Sequence, residues 1–437
     1  MFHRRRPAAR RIRAGSTLLA LAAALSLTGA AGASAAAPAP ARADTVLAGP
    51  ARAGTDRAGD LSETVTARLR ERGRATLGAA ADGDRAKVDV TRRSGDWAFG
   101  TAVLATEPGS ERMPEGWLFV AERRDGQWKV AMEGEEAFAR ISRRSPVVEE
   151  REKPLFAAQD GRRKPGGAAA PAADAPDGDG AGEVGTAAAG DYRTGMALPF
   201  STGQTWTMTG GPHGWGGSAS PWSSVDFAGG DQAVRATRAG TAYTMCTGWI
   251  RVVHDRGYAT DYYHLWNSVN VNGAAVSGGT FLGYTGTDVT CGGSATGRHV
   301  HLGLRQNGAY VGMDEHNLGK WVVKNGGSAY QGSAMHGSHR VYAGSGVYNY
   351  GALGFTQGIV DANDTATVNK RSGPGTGYAV VGSVSDGATV TVSCSSNGTS
   401  HTGRWGATSL WNKLSDGTWI SDAYLWTGVN GAINGYC

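Results

Sequence analysis

The sequence predicts a multidomain, mainly β protein, and three observations carry that expectation. At 437 residues the chain exceeds one ordinary core. Gly at 68 and Trp at 13 suit short strands and turns better than long helices. Short apolar runs bounded by Gly, Asn or Asp recur through most of its length.

Taken in order, residues 1–37 read as a signal peptide. The start is basic, an apolar run covers about Thr17 to Leu27, and small residues around Ala33-Ser34-Ala35 or Ala35-Ala36-Ala37 offer cleavage points. The run is shorter than the ~20 residues of a spanning helix, and no other stretch reads as a membrane span. Arg10-Arg11 raises twin-arginine export, but its flanks favour the general route. The formal charge of +5 belongs to this leader: Arg4, Arg5, Arg6, Arg10, Arg11 and Arg13 are its only charges, and without those six the rest is close to neutral at −1. A nucleic-acid partner is therefore not expected.

Residues 60–150 read as a small α+β unit. Asp60, with Glu63 three residues on, starts a helix whose Leu61, Val65 and Leu69 share a face. Strand-like runs follow at 86–91, 97–105, 117–122 and 128–132, the last two joined across Asp125-Gly126. The unit has no His, and its position after a signal peptide reads as that of a pro-region that blocks the following domain or helps it fold, with an independent extracellular module as the alternative. Residues 157–190, rich in Ala, Gly, Pro and Asp, read as a flexible linker and a place for proteolytic maturation. Glycine-punctuated strands then define a domain at 191–351 and a second at 359–437, the latter with strands at 366–370, 378–384, 388–393, 405–414 and 419–425. Four cysteines in an exported chain, without any Cys-x-x-Cys, predict disulfides. The domain limits favour Cys246 with Cys291 and Cys394 with Cys437 among three possible connectivities.

The chemistry concentrates in 191–351. In Arg298-His299-Val300-His301-Leu302 the two imidazoles stand two apart, on one face of a strand, where one can bind metal while the other moves protons. Upstream lie His213 in Gly-Gly-Pro-His-Gly-Trp, Asp226 in Ser-Ser-Val-Asp-Phe and His264 in Tyr-Tyr-His-Leu. Two His and one carboxylate are the usual donors of a catalytic zinc, whose fourth position holds a water acidified towards a pKa of ~7. His213, Asp226 and one of His299 and His301 can supply the donors, leaving the other and His264 for proton transfer and oxyanion stabilisation. His254, beside an Asp-Arg-Gly turn, reads as structural, and His316, His336, His339 and His401 as surface residues. Trp215, Trp222, Tyr262 and Trp266 flank the motifs as packing or groove residues.

These four motifs, in this order, resemble the beta-lytic branch of the lysostaphin/LytM-like zinc endopeptidases. In the lysostaphin branch the Asp follows the first His by four residues, whereas here twelve intervene. Cys246 and Cys291 around Tyr-Tyr-His-Leu, and the Arg305-Gln306-Asn307-Gly308 turn, are further echoes. The resemblance covers about 199–350 and implies a duplicated-hybrid-motif-like antiparallel β domain. It implies one zinc on His213, Asp226 and His301, with His264 and His299 as the two catalytic histidines. It also implies cleavage of peptidoglycan peptides, often at Gly- or Ala-containing bonds. Arg298 departs from the small or Pro residue common there and bears on bond preference. D-alanyl carboxypeptidases also use His, Asp and His but lack the Tyr-Tyr-His-Leu motif.

In the last domain, Asn369-Lys370-Arg371-Ser372-Gly373-Pro374 resembles the bacterial SH3-like domains of wall hydrolases, with Lys370 a departure. That implies an SH3-like β-barrel holding the enzyme on peptidoglycan. The expectation is thus a secreted, monomeric zinc metalloendopeptidase of the cell wall. Its rival is a non-catalytic wall-binding or hydrolase-activating protein, disfavoured because the whole donor set is kept.

Overall fold

The computed structural model describes residues 58–159 and 190–437. The expected signal peptide at 1–37 and most of the expected linker at 157–190 lie outside the described residues. Among the described residues no helix is long and apolar enough to cross a membrane.

The amino-terminal part starts with α1 (Ala58–Leu77), whose Leu61, Val65 and Leu69 form the expected buried stripe. Asp60 sits inside its first turn rather than capping it, where a carboxylate complements the helix dipole. Four strands, β1 (Arg85–Ser94), β2 (Trp97–Ala105), β3 (Glu115–Arg124) and β4 (Gln127–Met132), follow as one antiparallel sheet in that order. Asp125 and Gly126, both at positive φ (52° and 79°), make the tight β3–β4 turn. Two helices, α2 (Glu136–Arg144) and α3 (Glu152–Ala158), are absent from the sequence reading, being too short to display a helical period. Ordered structure therefore extends beyond residue 150 into the expected linker. The cause is Phe156, fully buried against Phe99 and Phe138 at ring separations of 5.8 and 5.0 Å.

The central part is built on a nine-stranded antiparallel sheet. Its strands include β5 (Thr205–His213), β6 (Ser224–Ala228), β8 (Gly240–Cys246), β9 (Trp249–Val253), β10 (Tyr258–Tyr263), β11 (Asn272–Val276), β13 (Val300–Gln306) and the short β14 (Ala309–Tyr310). The order is β11-β8-β9-β10-β13-β6-β5 with Gly346–Tyr348 beside β5 and β14 beside β13. A side ribbon pairs β7 (Ala233–Arg235) with β12 (Phe281–Tyr284).

Alternation along these strands divides two cores. Ile250, Val252, Tyr262, Val300, Leu302 and Leu304 point into one, closed by Leu318, Trp321, Val323 and Ala334 of a small sheet at 317–342. Tyr243, Met245, Trp249, Val253, Ala259 and Tyr263 point the other way. There they meet Phe99, Val103, Leu118, Val120, Phe138 and Phe156, so the amino-terminal sheet lies directly on the second face. The opposite faces of β2 and β3 (Ala98, Ala102, Trp117, Phe119) bury against α1. A sheet covered on both sides explains why β2 reads as a nearly continuous apolar run.

The carboxy-terminal part is a seven-stranded antiparallel sheet between Gln357 and Trp426 around Val360, Val392, Leu414, Ile420 and Leu425. Its longest strand, Thr389–Gly403, runs ten residues past the expected end at 393. Those residues are Ser-, Asn- and Gly-rich and owe their extended form to pairing with Gly406–Leu414. Disulfides join Cys246 to Cys291 and Cys394 to Cys437.

Glu115, at the start of β3, is buried against the central sheet, and that burial pushes its carboxyl up to about 7 despite Arg305 and Arg251 nearby. The folded chain thus holds a proton that the unfolded chain releases above its ordinary 4.5, and stability conferred at low pH is lost as pH rises towards about 7. Melting temperatures measured across that window should fall less steeply for Glu115→Gln than for the parent; identical slopes would refute this assignment.

Candidate metal centre

His213, Asp226 and His301 meet at the edge of the covered face. Asp226 and His301 are direct cross-strand partners on β6 and β13. On β5, Gly210 pairs with Asp226, but the register then slips, so that His213 pairs with Ser224. Three residues on one strand thereby match two on the other, and this bulge at Gly211-Pro212 turns His213 to the side where Asp226 already points. Gly210 is required by space: a Cβ there would sit 2.4 Å from Asp226 Oδ2.

His213 Nε2 lies 3.2 Å from His301 Nδ1 and 3.6 Å from Asp226 Oδ1, and His301 Nδ1 lies 2.9 Å from Asp226 Oδ1. Among the described residues this is the group that could hold a metal ion, its donor atoms all within 4.8 Å of one another. The donor set fits such an ion. Burial pushes the His213 imidazole down to about 4, leaving its Nε2 lone pair free, while its Nδ1–H donates to the Gly211 carbonyl at 2.7 Å. Burial opposes ionisation of Asp226, but His213, His301 and His299 around it hold its carboxyl well below the usual range. A buried anion beside two nitrogen lone pairs, with one coordination place left for solvent or substrate, is the arrangement of a catalytic metal.

His264 and His299 join the same group. Strand alternation after Tyr263 would send His264 to the opposite face, but its backbone is left-handed (φ 67°), which returns the ring to the site. Its imidazole stacks on Tyr263 at 4.4 Å and stands 4.8 Å from His299 and 6.0 Å from His301. Its Nδ1 is 2.8 Å from the Asp288 carbonyl, and its buried Nε2 has no protein partner. Burial, then the neighbouring His301 and His299, push it down to about 3, so it is neutral. His299 Nδ1 is 2.8 Å from the Gly297 carbonyl, and its Nε2 is 3.9 Å from Asp226 Oδ1. All five expected residues are thus brought together.

Tyr330, which no motif announces, stacks on His213 at 4.0 Å and remains 44% exposed, forming a wall of the site. Trp215 packs 4.8 Å from His301 over Gly303, where a Cβ would come within 2.8 Å of the indole. Tyr262 is a core residue, whereas Trp266 is exposed, with the Arg298 guanidinium 4.7 Å above its ring and bonded to the Thr285 carbonyl. His254 is structural, bonded to the Ala239 carbonyl and Thr260. His316 is not a surface residue: it is buried, edge-on to Tyr192 at 5.2 Å.

Fold and site together define a β-sheet metallopeptidase. Residues 220–313 match the model of peptidase family M23. The protease LasA of Pseudomonas aeruginosa is 36% identical over 146 residues, covering 31% of this chain and 35% of LasA, so the chain spans about a third of that relative. The beta-lytic metalloendopeptidase of Lysobacter enzymogenes is 31% identical over 146 residues, covering 31% of this chain and 82% of that protein. The solved M23 metalloprotease pseudoalterin is 32% identical with a TM-score of 0.33, covering 35% of this chain and 97% of that one. The chain belongs to peptidase family M23, in its beta-lytic branch.

Replacing Gly210 by Ala should displace the Asp226 carboxylate without unfolding the sheet and weaken metal retention by about tenfold or more. Metal content after dialysis, compared at unchanged circular dichroism, measures this.

Proposed function

We propose that the chain is a secreted zinc metalloendopeptidase that hydrolyses peptide bonds of bacterial peptidoglycan. The convergence of His213, Asp226 and His301 donors, with His264 and His299 turned to the same side, carries this reading. Zinc held by those three residues supplies Lewis acidity, making water more acidic and the scissile carbonyl more electrophilic. His264, neutral and fixed through Nδ1, presents Nε2 as acceptor for the proton of the attacking water. His299, less deeply buried, turns its Nε2 to the same side, placed to stabilise the oxyanion or to pass a proton to the leaving amine. Trp215 and Tyr330 hold His301 and His213 in orientation and keep solvent from their flanks.

On the same reading, the amino-terminal unit is a pro-region, cut free within the segment that joins it to the central part. Its sheet covers the face on which the site opens, and its 106–114 loop bonds to Cys291 and Gly293 beside the Asp288 carbonyl that anchors His264. The carboxy-terminal sheet is proposed as an SH3-like wall-binding domain. The rival, a non-catalytic wall binder, is disfavoured because every donor and both further histidines are present and turned to one side.

Cleavage of soluble wall peptides should stop with a chelator and return with zinc, with new amino termini identified by mass spectrometry. His264→Ala should cost about 10²- to 10⁴-fold in kcat with zinc retained, whereas His301→Ala should lose both. Unchanged hydrolysis by His301→Ala would end the metal mechanism. The full chain should be less active than chain cut between 160 and 189; equal activity would discard the pro-region.

A further inference from the structure

The face covered by the amino-terminal unit carries two guanidinium groups. Arg251 on β9 is fully buried. Its Nε and Nη2 donate to Asp261 Oδ1 and Oδ2, both at 2.9 Å, and Asp261 is itself fixed by Trp249 Nε1 at 2.8 Å and the Tyr310 hydroxyl at 2.9 Å. This frame leaves Nη1 pointing out of the sheet. It donates to Glu133 Oε2 at 2.5 Å and to the Gly116 carbonyl at 3.1 Å, and both acceptors belong to the covering unit. Arg305 on β13 stacks over Tyr310 at 4.3 Å and gives Nη2 to the Gly308 carbonyl, but its buried Nε and Nη1 have no partner. Glu133 Oε1 is likewise buried without one. A cavity of about 460 Å³ remains at this contact, lined by Arg305, Tyr310, Glu115 and Trp215.

A sheet that supplies more oriented donors than its cover satisfies is built for another acceptor, because unpaired buried donors are destabilising. With the cover gone, Arg251 and Arg305 outnumber Asp261, so the exposed floor is cationic. We propose that Arg251 and Arg305 form a subsite for a free carboxylate of the peptide substrate, and that Glu133 occupies it in the covered chain as a stand-in for that carboxylate. The proposal rests on the peptidase reading. Arg251 pairs with Asp261, which stands two residues along β10 from Tyr263, the partner of His301. Two strand spacings and two residues of rise place Arg251 about 12 Å from His301 between Cα atoms, or about three to four residues of extended peptide. A carboxylate that far from the bond cut is the feature selected.

Two arms test this, the first on the full chain carrying Glu133→Ala with Glu133→Gln beside it, the second on chain cut between 160 and 189. Acetate should raise the melting temperature of Glu133→Ala by several degrees, acetamide should not, and Glu133→Gln, with no space vacated, should respond to neither. Two soluble wall peptides that differ only in one free or amidated carboxylate then report on the subsite. The chain cut between 160 and 189, its cover released, should cleave the free form with a KM about tenfold lower at equal kcat, and Arg305→Gln should erase most of that difference. Equal effects of acetate and acetamide, or equal KM for two peptides that are both cleaved, would overturn the proposal. Acetate rescue with neither peptide cleaved would instead remove the peptidase reading and leave Arg251 a carboxylate site.

Discussion

The rest of the structure depends on the two-residue alternation of β13. Val300, Leu302 and Leu304 enter one core while His301, Gly303 and Arg305 face the other way, so a single strand fixes the hydrophobic packing and presents the functional side chains. A slip of one residue would exchange the two sets, placing imidazole and guanidinium in an apolar core. The site is precise because its register is enforced by burial of its neighbours. Asp226 inherits the constraint through its pairing with His301, and Tyr263 through the same residue on the opposite side. His213 and His264 reach the site only through departures from regular strand geometry, a bulge and a left-handed residue. Such departures are sustained where surrounding structure over-determines them.

Burying three imidazoles and a carboxylate within a few ångströms would be costly if all were free to ionise. Backbone carbonyls limit that cost: Gly211, Asp288 and Gly297 each sit against an Nδ1, fixing one tautomer and directing one Nε2 inwards. His301 is arranged in the opposite sense, with Nδ1 towards Asp226 and Nε2 buried without a partner. The polarity of three of these rings is therefore set by main-chain geometry and that of His301 by Asp226, an arrangement a cation at the centre would complement.

The site was legible in the sequence to the extent that it is local. His299-Val300-His301 declares its own face, and the order of His213, Asp226 and His264 around it carries the family resemblance that implies the donor set. What remained hidden arises from pairing between distant segments. Tyr330 lies far along the chain from His213 and reaches it through a turn with no motif. Gly210 looks like one glycine among many until Asp226 is opposite it. His316 has no motif, and its burial comes from packing between Tyr192 and Tyr258. In the amino-terminal unit the strands were readable from apolar runs, but α2 and α3 were not, because tertiary burial of Phe138, Ile141 and Phe156 stabilises them.

A sheet with apolar residues on both faces cannot leave one face in water at no cost while it folds. The amino-terminal sheet resolves this by offering Phe99, Val103, Leu118 and Val120 to Tyr243, Trp249 and Tyr263. On the proposed pro-region reading the cover later leaves, and such a cover cannot be as complementary as a permanent core. The apolar half of the contact is well packed, whereas the polar half is incomplete, with unpaired atoms on Glu133 and Arg305 and a Glu115 carboxyl that burial pushes up to about 7. Apolar packing is nondirectional and suits assembly, while the polar mismatch lowers the strength of the finished contact selectively. The aromatic floor also carries polar handles, the Tyr263 hydroxyl on the Gly292 carbonyl and the Trp249 indole on Asp261, so its exposure after release is less costly than that of an aliphatic surface of equal area. On that same reading, the features that make the cover separable are those that prepare the uncovered face for a peptide.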